Sequence, residues 1–213
     1  RALAPSPDLL LMDEPFSNLD AELRKRLSLE VRDIIKELGI SAILVTHDQL
    51  EAFAFSDNIG LLYNGKLQQW DTPFNLYHEP SNRLVADFIG EGSFLPGVIG
   101  TELNTVTTEL GTLMGNRAYA WPPGTPVEIL LRPDDIVLSD FGGISATIEK
   151  KVFSGSATLY TLRLPTGSQV EALLPSHRDF AINEVVKINT EADHLIAFGR
   201  EELHHGEHKP RSS

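Results

Sequence analysis

The sequence contains no cysteine, which excludes disulfides and cysteine-ligated metal sites. It has no apolar run long enough to cross a membrane and no recognisable signal peptide. Basic residues are scarce, since 18 Lys and Arg stand against 30 Asp and Glu, for a formal net charge of −12. This balance argues against a broad nucleic-acid surface, which needs a basic footprint. The 213 residues have an ordinary globular composition and suffice for two modest domains.

Residues 9–20 carry the strongest chemical signal that is present. A short apolar run, residues 9–12, leads into two adjacent acids, Asp13 and Glu14. Such a run predicts a strand buried on both faces, and acids just beyond it lie at the carboxyl edge, where open α/β sheets bind ligands. There an Asp can hold Mg²⁺ and a Glu can orient an attacking water. The alternative is a core strand followed by a solvated acidic turn.

A helix, a second strand and a histidine follow. Asp20 is a suitable N-cap for the helix, and residues 41–46 predict a buried strand that ends at His47. The order is that of a βαβα unit, whose strands are expected to be parallel. Neighbouring parallel strands end at one edge of a sheet, so we expect Asp13, Glu14 and His47 to face one crevice.

The chain changes character near residue 90. Before it, Asn64 and Gly65 predict a hairpin turn; beyond it, short β-rich runs separated by Gly, Pro and Asn predict a small all-β barrel or sandwich. We expect an α/β domain over residues 1–90, a β-rich domain over 91–200 and a polar, disordered tail over 201–213. Three histidines either bind a metal in this tail or belong to a flexible segment: His204, His205 and His208.

Three motifs make the first ninety residues similar to the second half of an ATP-binding cassette (ABC) subunit, the nucleotide-hydrolysing component of ABC transporters. Residues 9–15 (LLLMDEP) resemble the Walker B segment with its following Glu. Residues 17–20 (SNLD) resemble the D-loop, and residues 45–52 (VTHDQLEA) resemble the switch-histidine segment. The resemblance implies the C-terminal half of a P-loop ATPase, an α/β fold with a mostly parallel sheet and helices.

The resemblance also implies roles for individual residues. Asp13 would help to hold the Mg²⁺ of MgATP, Glu14 would be the catalytic carboxylate that polarises water, and His47 would contact the γ-phosphate. These roles agree with phosphoryl transfer as mostly positioning plus charge stabilisation around Mg²⁺. Three further residues would contact the other subunit of a nucleotide-sandwich dimer: Ser17, Asn18 and Asp20.

The chain departs from the family in what it lacks. It has no G-x-x-x-x-G-K-[ST] loop, no Q-loop and no Leu-Ser-Gly-Gly-Gln signature, and it begins with Arg1 rather than Met. We therefore expect the C-terminal part of a longer subunit, and we expect this chain alone neither to bind MgATP tightly nor to hydrolyse it. Apolar strand faces left uncovered should favour self-association.

The β-rich part resembles the transport-associated OB-type regulatory domain that follows the cassette in one class of importers. The similarity lies in residues 131–136 (LRPDDI), together with residues 79–83 (EPSNR) and 87–90 (DFIG). Members of this class import sugars such as maltose, polyamines, sulfate, molybdate or ferric iron. Residues 88–97 (FIGEGSFLPG) look most like the ferric-iron importers, so ferric iron is the expected substrate and the others are alternatives.

The resemblance implies a peripheral ATPase on the cytoplasmic side of a bacterial inner membrane. Its partners would be a second copy of itself, membrane permease subunits and, indirectly, a periplasmic or extracellular solute-binding protein, without nucleic acid. A soluble ABC ATPase of translation or DNA repair fits the acidic charge and the β-domain less well, and a helicase fits residues 17–20 and His47 less well. The β-domain could alternatively sense a ligand, such as an oxyanion or a metal, instead of only bracing a dimer.

Overall fold

A computed structural model describes residues 7–102 and 104–199. The chain divides into two compact units, Arg1–Tyr77 and His78–Ser213. The division falls before the boundary that the sequence predicts near residue 90. The predicted tail, with His204, His205 and His208, lies outside the described residues. Within the described ranges, no helix is both long enough and apolar enough to span a membrane.

The first unit combines a βαβ arrangement with a hairpin. Its elements are β1 (Leu9–Asp13), α1 (Ala21–Leu38), β2 (Ser41–Val45), α2 (Gln49–Phe55), β3 (Ile59–Tyr63), β4 (Lys66–Asp71) and α3 (Pro73–His78). Strands β1 and β2 pair in parallel, whereas β3 and β4 form a separate antiparallel sheet. The parallel sheet predicted for the α/β half is therefore confirmed only as one two-stranded pair.

Local chemistry explains where the main elements of this unit begin and turn. The side chain of Asp20 accepts a hydrogen bond from the backbone N–H of Leu23 (2.9 Å) and caps α1. Gly39 ends the helix in the left-handed conformation, with φ 65°. Asn64 and Gly65, with φ 49° and 73°, turn the chain between β3 and β4 as predicted.

The prediction that β1 and β2 are buried on both faces was wrong. Burial alternates along both strands, and the side chains of Leu11, Ile43 and Val45 are 68%, 54% and 55% exposed. The reason is that the described residues cover only one side of this two-stranded sheet. We call the uncovered side the aliphatic face; it consists of Leu9, Leu11, Asp13, Ser41, Ile43 and Val45.

The second unit is almost entirely β-structure, as expected. Its elements are α4 (Arg83–Phe88), β5 (Ser93–Ile99), β6 (Thr105–Thr108), β7 (Gly111–Met114), β8 (Pro126–Leu131), a 3₁₀ turn (Pro133–Asp135), β9 (Ile136–Leu138), β10 (Ile144–Phe153), β11 (Ala157–Arg163), β12 (Gln169–Pro175), β13 (Val185–Thr190) and β14 (Ile196–Gly199). They form two five-stranded antiparallel sheets, ordered β12-β11-β10-β13-β9 and β14-β8-β5-β6-β7.

One apolar core is shared by the two sheets of this unit. Leu95 and Ile129 from one sheet and Ile148 and Tyr160 from the other are completely buried in it. The hydroxyl of Tyr160 donates to the backbone carbonyl of Arg178 (3.1 Å), so the buried phenol is not left without a partner. The alternation of buried and exposed residues along these strands gives each sheet one apolar face.

A buried arginine ties α4 to the β-structure. Arg132 is only 2% exposed, and its guanidinium donates to the carbonyls of Ala86 (3.3 Å), Gly90 (3.3 Å) and Glu91 (2.9 Å). Its backbone N–H donates to the carboxylate of Asp135 (2.7 Å) in the 3₁₀ turn. These contacts explain why α4 groups with the second unit, although its sequence is helical.

Candidate functional site

The two parallel strands of the first unit end side by side. Asp13 is the last residue of β1 and pairs in register with Val45, the last residue of β2. The backbone N–H of Glu14 donates to the carbonyl of Val45 (2.9 Å), which carries the pairing one residue further. Glu14 and His47 therefore leave the same edge of the sheet, as the order of the elements predicts.

Glu14 and His47 are brought into direct contact. The Nδ1 atom of His47 lies 2.7 Å from Oε1 of Glu14. The imidazole is 79% exposed and the carboxylate 34% exposed. The backbone of Glu14 adopts the left-handed conformation, with φ 47°, which costs a non-glycine residue about 1 kcal/mol or more. The turn thus places this particular side chain opposite the histidine despite some strain.

The electrostatic surroundings favour the protonated imidazole. The hydrogen bond with Glu14 and its negative charge raise the pKa of His47, against a smaller lowering by desolvation. The carboxylate of Asp48 raises this pKa further, and the guanidinium of Arg24 lowers it. His47 consequently holds its proton more firmly than an isolated histidine does.

The loop that follows Glu14 carries the three predicted dimer contacts. The hydroxyl of Ser17 donates to the carbonyl of Glu14 (3.0 Å), and the buried Phe16 anchors the turn. Asn18 is exposed, whereas the Asp20 carboxylate is already engaged as the cap of α1. Ser17 and Asp20 therefore have roles within their own chain, and the predicted intersubunit contacts stay a prediction.

A second layer of polar residues lies beneath His47, and sequence reasoning missed it. Glu51 is only 5% exposed, and its carboxylate accepts a hydrogen bond from the hydroxyl of Thr46 (3.0 Å). Burial raises the pKa of Glu51. Residues 48–51 (DQLE) have the sequence pattern of a capping box, but the box is only half formed. Asp48 accepts from the backbone N–H of Glu51 (3.0 Å), whereas the Glu51 side chain accepts from Thr46 instead. That pattern indicates a helix start rather than a buried acid, and so it gives no sign of the role of Glu51.

The arrangement suits water activation next to a metal-bound phosphate. Asp13 is exposed at the strand end and offers hard oxygen atoms, and Mg²⁺ is commonly bound by one or two carboxylates together with phosphates and waters. Over residues 7–102 and 104–199 there is no cluster of three or more His, Asp or Glu that could hold a metal by itself. The residues present therefore fit a magnesium ion that arrives with a phosphate ligand.

Comparison with known proteins finds one matching family model and several similar curated proteins. Residues 129–198 match the family model described as TOBE domain. The chain is 36% identical over 211 residues to the spermidine/putrescine import ATP-binding protein PotA of Rubrobacter xylanophilus, covering 93% of this chain and 56% of that protein. It is 40% identical over 172 residues to PotA of Mesorhizobium japonicum, covering 78% and 47%. PotA 2 of Pseudomonas aeruginosa is 35% identical over 187 residues, covering 83% and 52%.

The chain spans about half the length of the curated relatives it matches. These relatives and the TOBE match support the C-terminal region of an ABC importer subunit that contains an OB-like β-domain. Their names give no support to the expected ferric-iron specificity. A solved structure of the cytoplasmic molybdate-binding protein ModG has a TM-score of 0.43, 11% identity and coverage of 57% of this chain and 99% of that one.

Proposed function

We propose that this chain supplies the metal-binding and water-activating residues of the ATP-hydrolysis site in an importer's ATP-binding subunit. The observation that carries the proposal is the 2.7 Å contact between Glu14 and His47 where two parallel strands end together. A carboxylate and an imidazole at this edge are groups that hydrolysis of the phosphoanhydride bond of ATP can use for proton transfer and charge stabilisation.

In this proposal each of the three residues has a distinct task. Asp13 helps to hold the Mg²⁺ of MgATP, which supplies the transferred phosphoryl group and its charge compensation. Glu14 orients and deprotonates the attacking water; Oε1 contacts His47, whereas Oε2 has no hydrogen-bond partner among the described residues and can receive the proton. His47 donates a hydrogen bond toward the γ-phosphate and keeps the carboxylate aligned.

The similarity to the relatives supports a proposal for the partners and the substrate class. We propose a peripheral subunit on the cytoplasmic side of the membrane, which pairs with a second copy through Ser17, Asn18 and Asp20 and with membrane permease subunits. Residues 1–90 would be the nucleotide-binding part and residues 91–200 the regulatory part. Since the relatives are named for spermidine and putrescine import, we propose polyamines as the substrate class.

Replacing the carboxylate tests the catalytic assignment in the complete subunit that contains this chain. Glu14→Gln keeps the shape of the side chain and removes its charge, so turnover should fall by about a hundredfold or more while ATP still binds. Glu37→Gln is the matched control, because Glu37 is exposed in the last turn of α1. Steady-state ATPase rates and nucleotide binding by calorimetry are the measurements, and wild-type turnover in Glu14→Gln would contradict the role.

Uptake measurements test the substrate class separately. Proteoliposomes that contain the complete importer should accumulate labelled spermidine only when ATP is present inside them. Ferric iron is the matched competitor, because it was the substrate expected from residues 88–97. Uptake of ferric iron without spermidine would contradict the polyamine proposal and leave the assignment of Asp13, Glu14 and His47 untouched.

A further inference from the structure

We propose that Arg24 is a positioning residue, which holds His47 against Glu14 by joining the loop after β1 to the loop after β2. The contacts by which Arg24 joins the two loops all lie within the first unit. Its catalytic consequence rests on the function proposed above. Arg24 lies on α1, one turn after the cap residue Asp20, and it carries none of the sequence signals of the site.

The side chain of His47 has little support of its own. It is 79% exposed, and Glu14 is its hydrogen-bond partner within the described part of the chain. Its position is therefore set by the backbone on either side of it. On one side, the hydroxyl of Thr46 accepts from the backbone N–H of Asp48 (3.0 Å) and donates to the buried Glu51 (3.0 Å).

Asp48 fixes the other side of His47. One carboxylate oxygen caps α2 by accepting from the backbone N–H of Glu51 (3.0 Å). The other oxygen lies 2.5 Å from Nη1 of Arg24. The side chains of Asp48 and Arg24 are only 24% and 27% exposed, so this ion pair is less screened than a pair on the open surface.

The same guanidinium reaches the loop that begins at Glu14. Nη2 of Arg24 donates to the carbonyl of Leu19 (3.0 Å), at the end of that loop. One planar group thus links the segments that carry the two partners of the 2.7 Å contact. Nε of Arg24 is buried and has no partner among the residues that the structure describes, so these two contacts alone hold the group.

Lysine cannot replace this link, although it keeps the charge. The guanidinium presents its donors in a rigid planar fork, so two acceptors on different segments are held at a fixed separation. An ammonium group is a compact point charge on a flexible stem and does not fix that separation. Arg24→Lys therefore separates positioning from charge, which an alanine variant would not do.

The test follows the titration of His47 by NMR in the full 213-residue chain, with the resonance assigned from His47→Gln. The charged groups that act on His47 are Glu14 and Asp48, which raise its pKa, and Arg24, which lowers it. Because Arg24→Lys leaves all three charges in place, a loosened contact with Glu14 should lower the pKa of His47 toward 6.5. Arg26→Lys is the matched control, since Arg26 is exposed and its ion pair is with Glu30 on the same helix.

A lower pKa of His47 in Arg24→Lys, together with an unchanged value in Arg26→Lys, supports the proposal. An unchanged value in Arg24→Lys overturns it, because the arginine would then act only as a charge. In the complete subunit, Arg24→Lys should lower kcat about tenfold with little change in KM for ATP. A lower pKa with normal turnover would support the link and would contradict the catalytic role of His47.

Asp48→Ser tests the same link from its other end if Arg24→Lys yields too little folded protein. Serine is also a good N-cap, so α2 keeps its start while the contact with Arg24 is lost. We expect the same tenfold loss of kcat, again without a matching rise in KM for ATP. Wild-type turnover in Asp48→Ser would overturn the catalytic part of the proposal.

Discussion

The two units differ in how they are stabilised. In the second unit, two five-stranded sheets enclose a core in which Ile148, Tyr160 and Leu162 are completely buried. In the first unit, both sheets have two strands, and the aliphatic face leaves Leu11 and Ile43 more than half exposed. Every candidate catalytic residue nevertheless lies in the first unit.

The first unit has a small hydrophobic core, and polar contacts between its helices and loops help to hold it together. Arg24 joins α1 to the start of α2, Arg32 donates to the carbonyl of Phe55 (3.0 Å), and Lys36 pairs with Asp57 (2.5 Å). Exposed ion pairs contribute only about 0–1 kcal/mol each, whereas a fully buried aliphatic side chain contributes about 1.5–3 kcal/mol. We infer that the second unit is the more stable one and that the chemistry sits on the less stable scaffold.

Removing part of the core should have the largest effect on stability. Ile148→Ala deletes atoms from a side chain that is 0% exposed, so the free energy of unfolding of the second unit should fall by about 2–5 kcal/mol. The chain has two tryptophans, one in each unit, and Trp121 contacts the core of the second. Urea unfolding followed by Trp121 fluorescence, in a Trp70→Phe background, therefore measures this unit selectively.

The matched control for that experiment is Ile182→Ala, in the same unit. Ile182 is 46% exposed, and its truncation should cost about 0.5 kcal/mol or little more. A cost of Ile148→Ala as small as that of Ile182→Ala would contradict the assignment of Ile148 to a closely packed core.

The free energy of unfolding of the second unit should also depend on pH through Asp135, with a smaller effect. Burial raises the pKa of Asp135 from its ordinary 3.8 to about 6, and the hydrogen bond from the backbone of Arg132 only partly opposes this. Between about pH 4 and 6 the folded state then binds more protons than the unfolded state. The contribution of Asp135 is therefore most favourable below 3.8 and is lost as pH rises through 6, by about 1–2 kcal/mol after allowance for solvent screening.

Asp135→Asn should remove this slope from the pH dependence of unfolding, because the amide does not titrate and can still accept from Arg132. Asp140→Asn, at an exposed position of the same unit, is the control. Urea unfolding at several pH values between 4 and 7, followed by Trp121, gives both slopes. Equal slopes in wild type and Asp135→Asn would show that Asp135 titrates normally.

Much of the fold was predictable because the signals are local. Asn64 and Gly65 form the predicted turn, Asp20 caps α1 as predicted, and the chain beyond residue 90 is rich in strands as predicted. The exposure of Ile43 was not predictable in this way. An apolar run indicates that a strand suits a buried position, but it does not indicate which elements cover the two faces of that strand. Strand β7 (Gly111–Met114) was not predictable either, because its four residues are of mixed character and give no clear alternation.

In the candidate site too, local signals were predictable and contacts between distant residues were not. Glu14 and His47 were expected at one edge because parallel strands joined by a helix end together, and the 2.7 Å contact agrees with this expectation. The link from Arg24 to Asp48 spans 24 residues, and no periodicity or motif encodes such a distant pair. Glu51 is likewise buried only because Thr46 and the fold around it offer a partner.

The smallest effect tests the aliphatic face directly. Ile43 is 54% exposed, so Ile43→Ala should cost the first unit about 0.5 kcal/mol or less while the chain is monomeric. Leu44→Ala, on the more buried side of the same strand, should cost more. Urea unfolding followed by Trp70 fluorescence, in a Trp121→Phe background, is the measurement. A cost of Ile43→Ala as large as that of Leu44→Ala in a monomeric sample would contradict the exposure of this face.

The same variant also separates an exposed face from a self-associating one. An uncovered aliphatic face favours association of copies, so the light-scattering mass should exceed that of one chain as concentration rises. If the copies meet through this face, Ile43→Ala should shift that rise to higher concentration, whereas Ile182→Ala should not. A mass equal to one chain at every concentration would contradict self-association. The first unit would then be stable with its aliphatic face exposed to solvent.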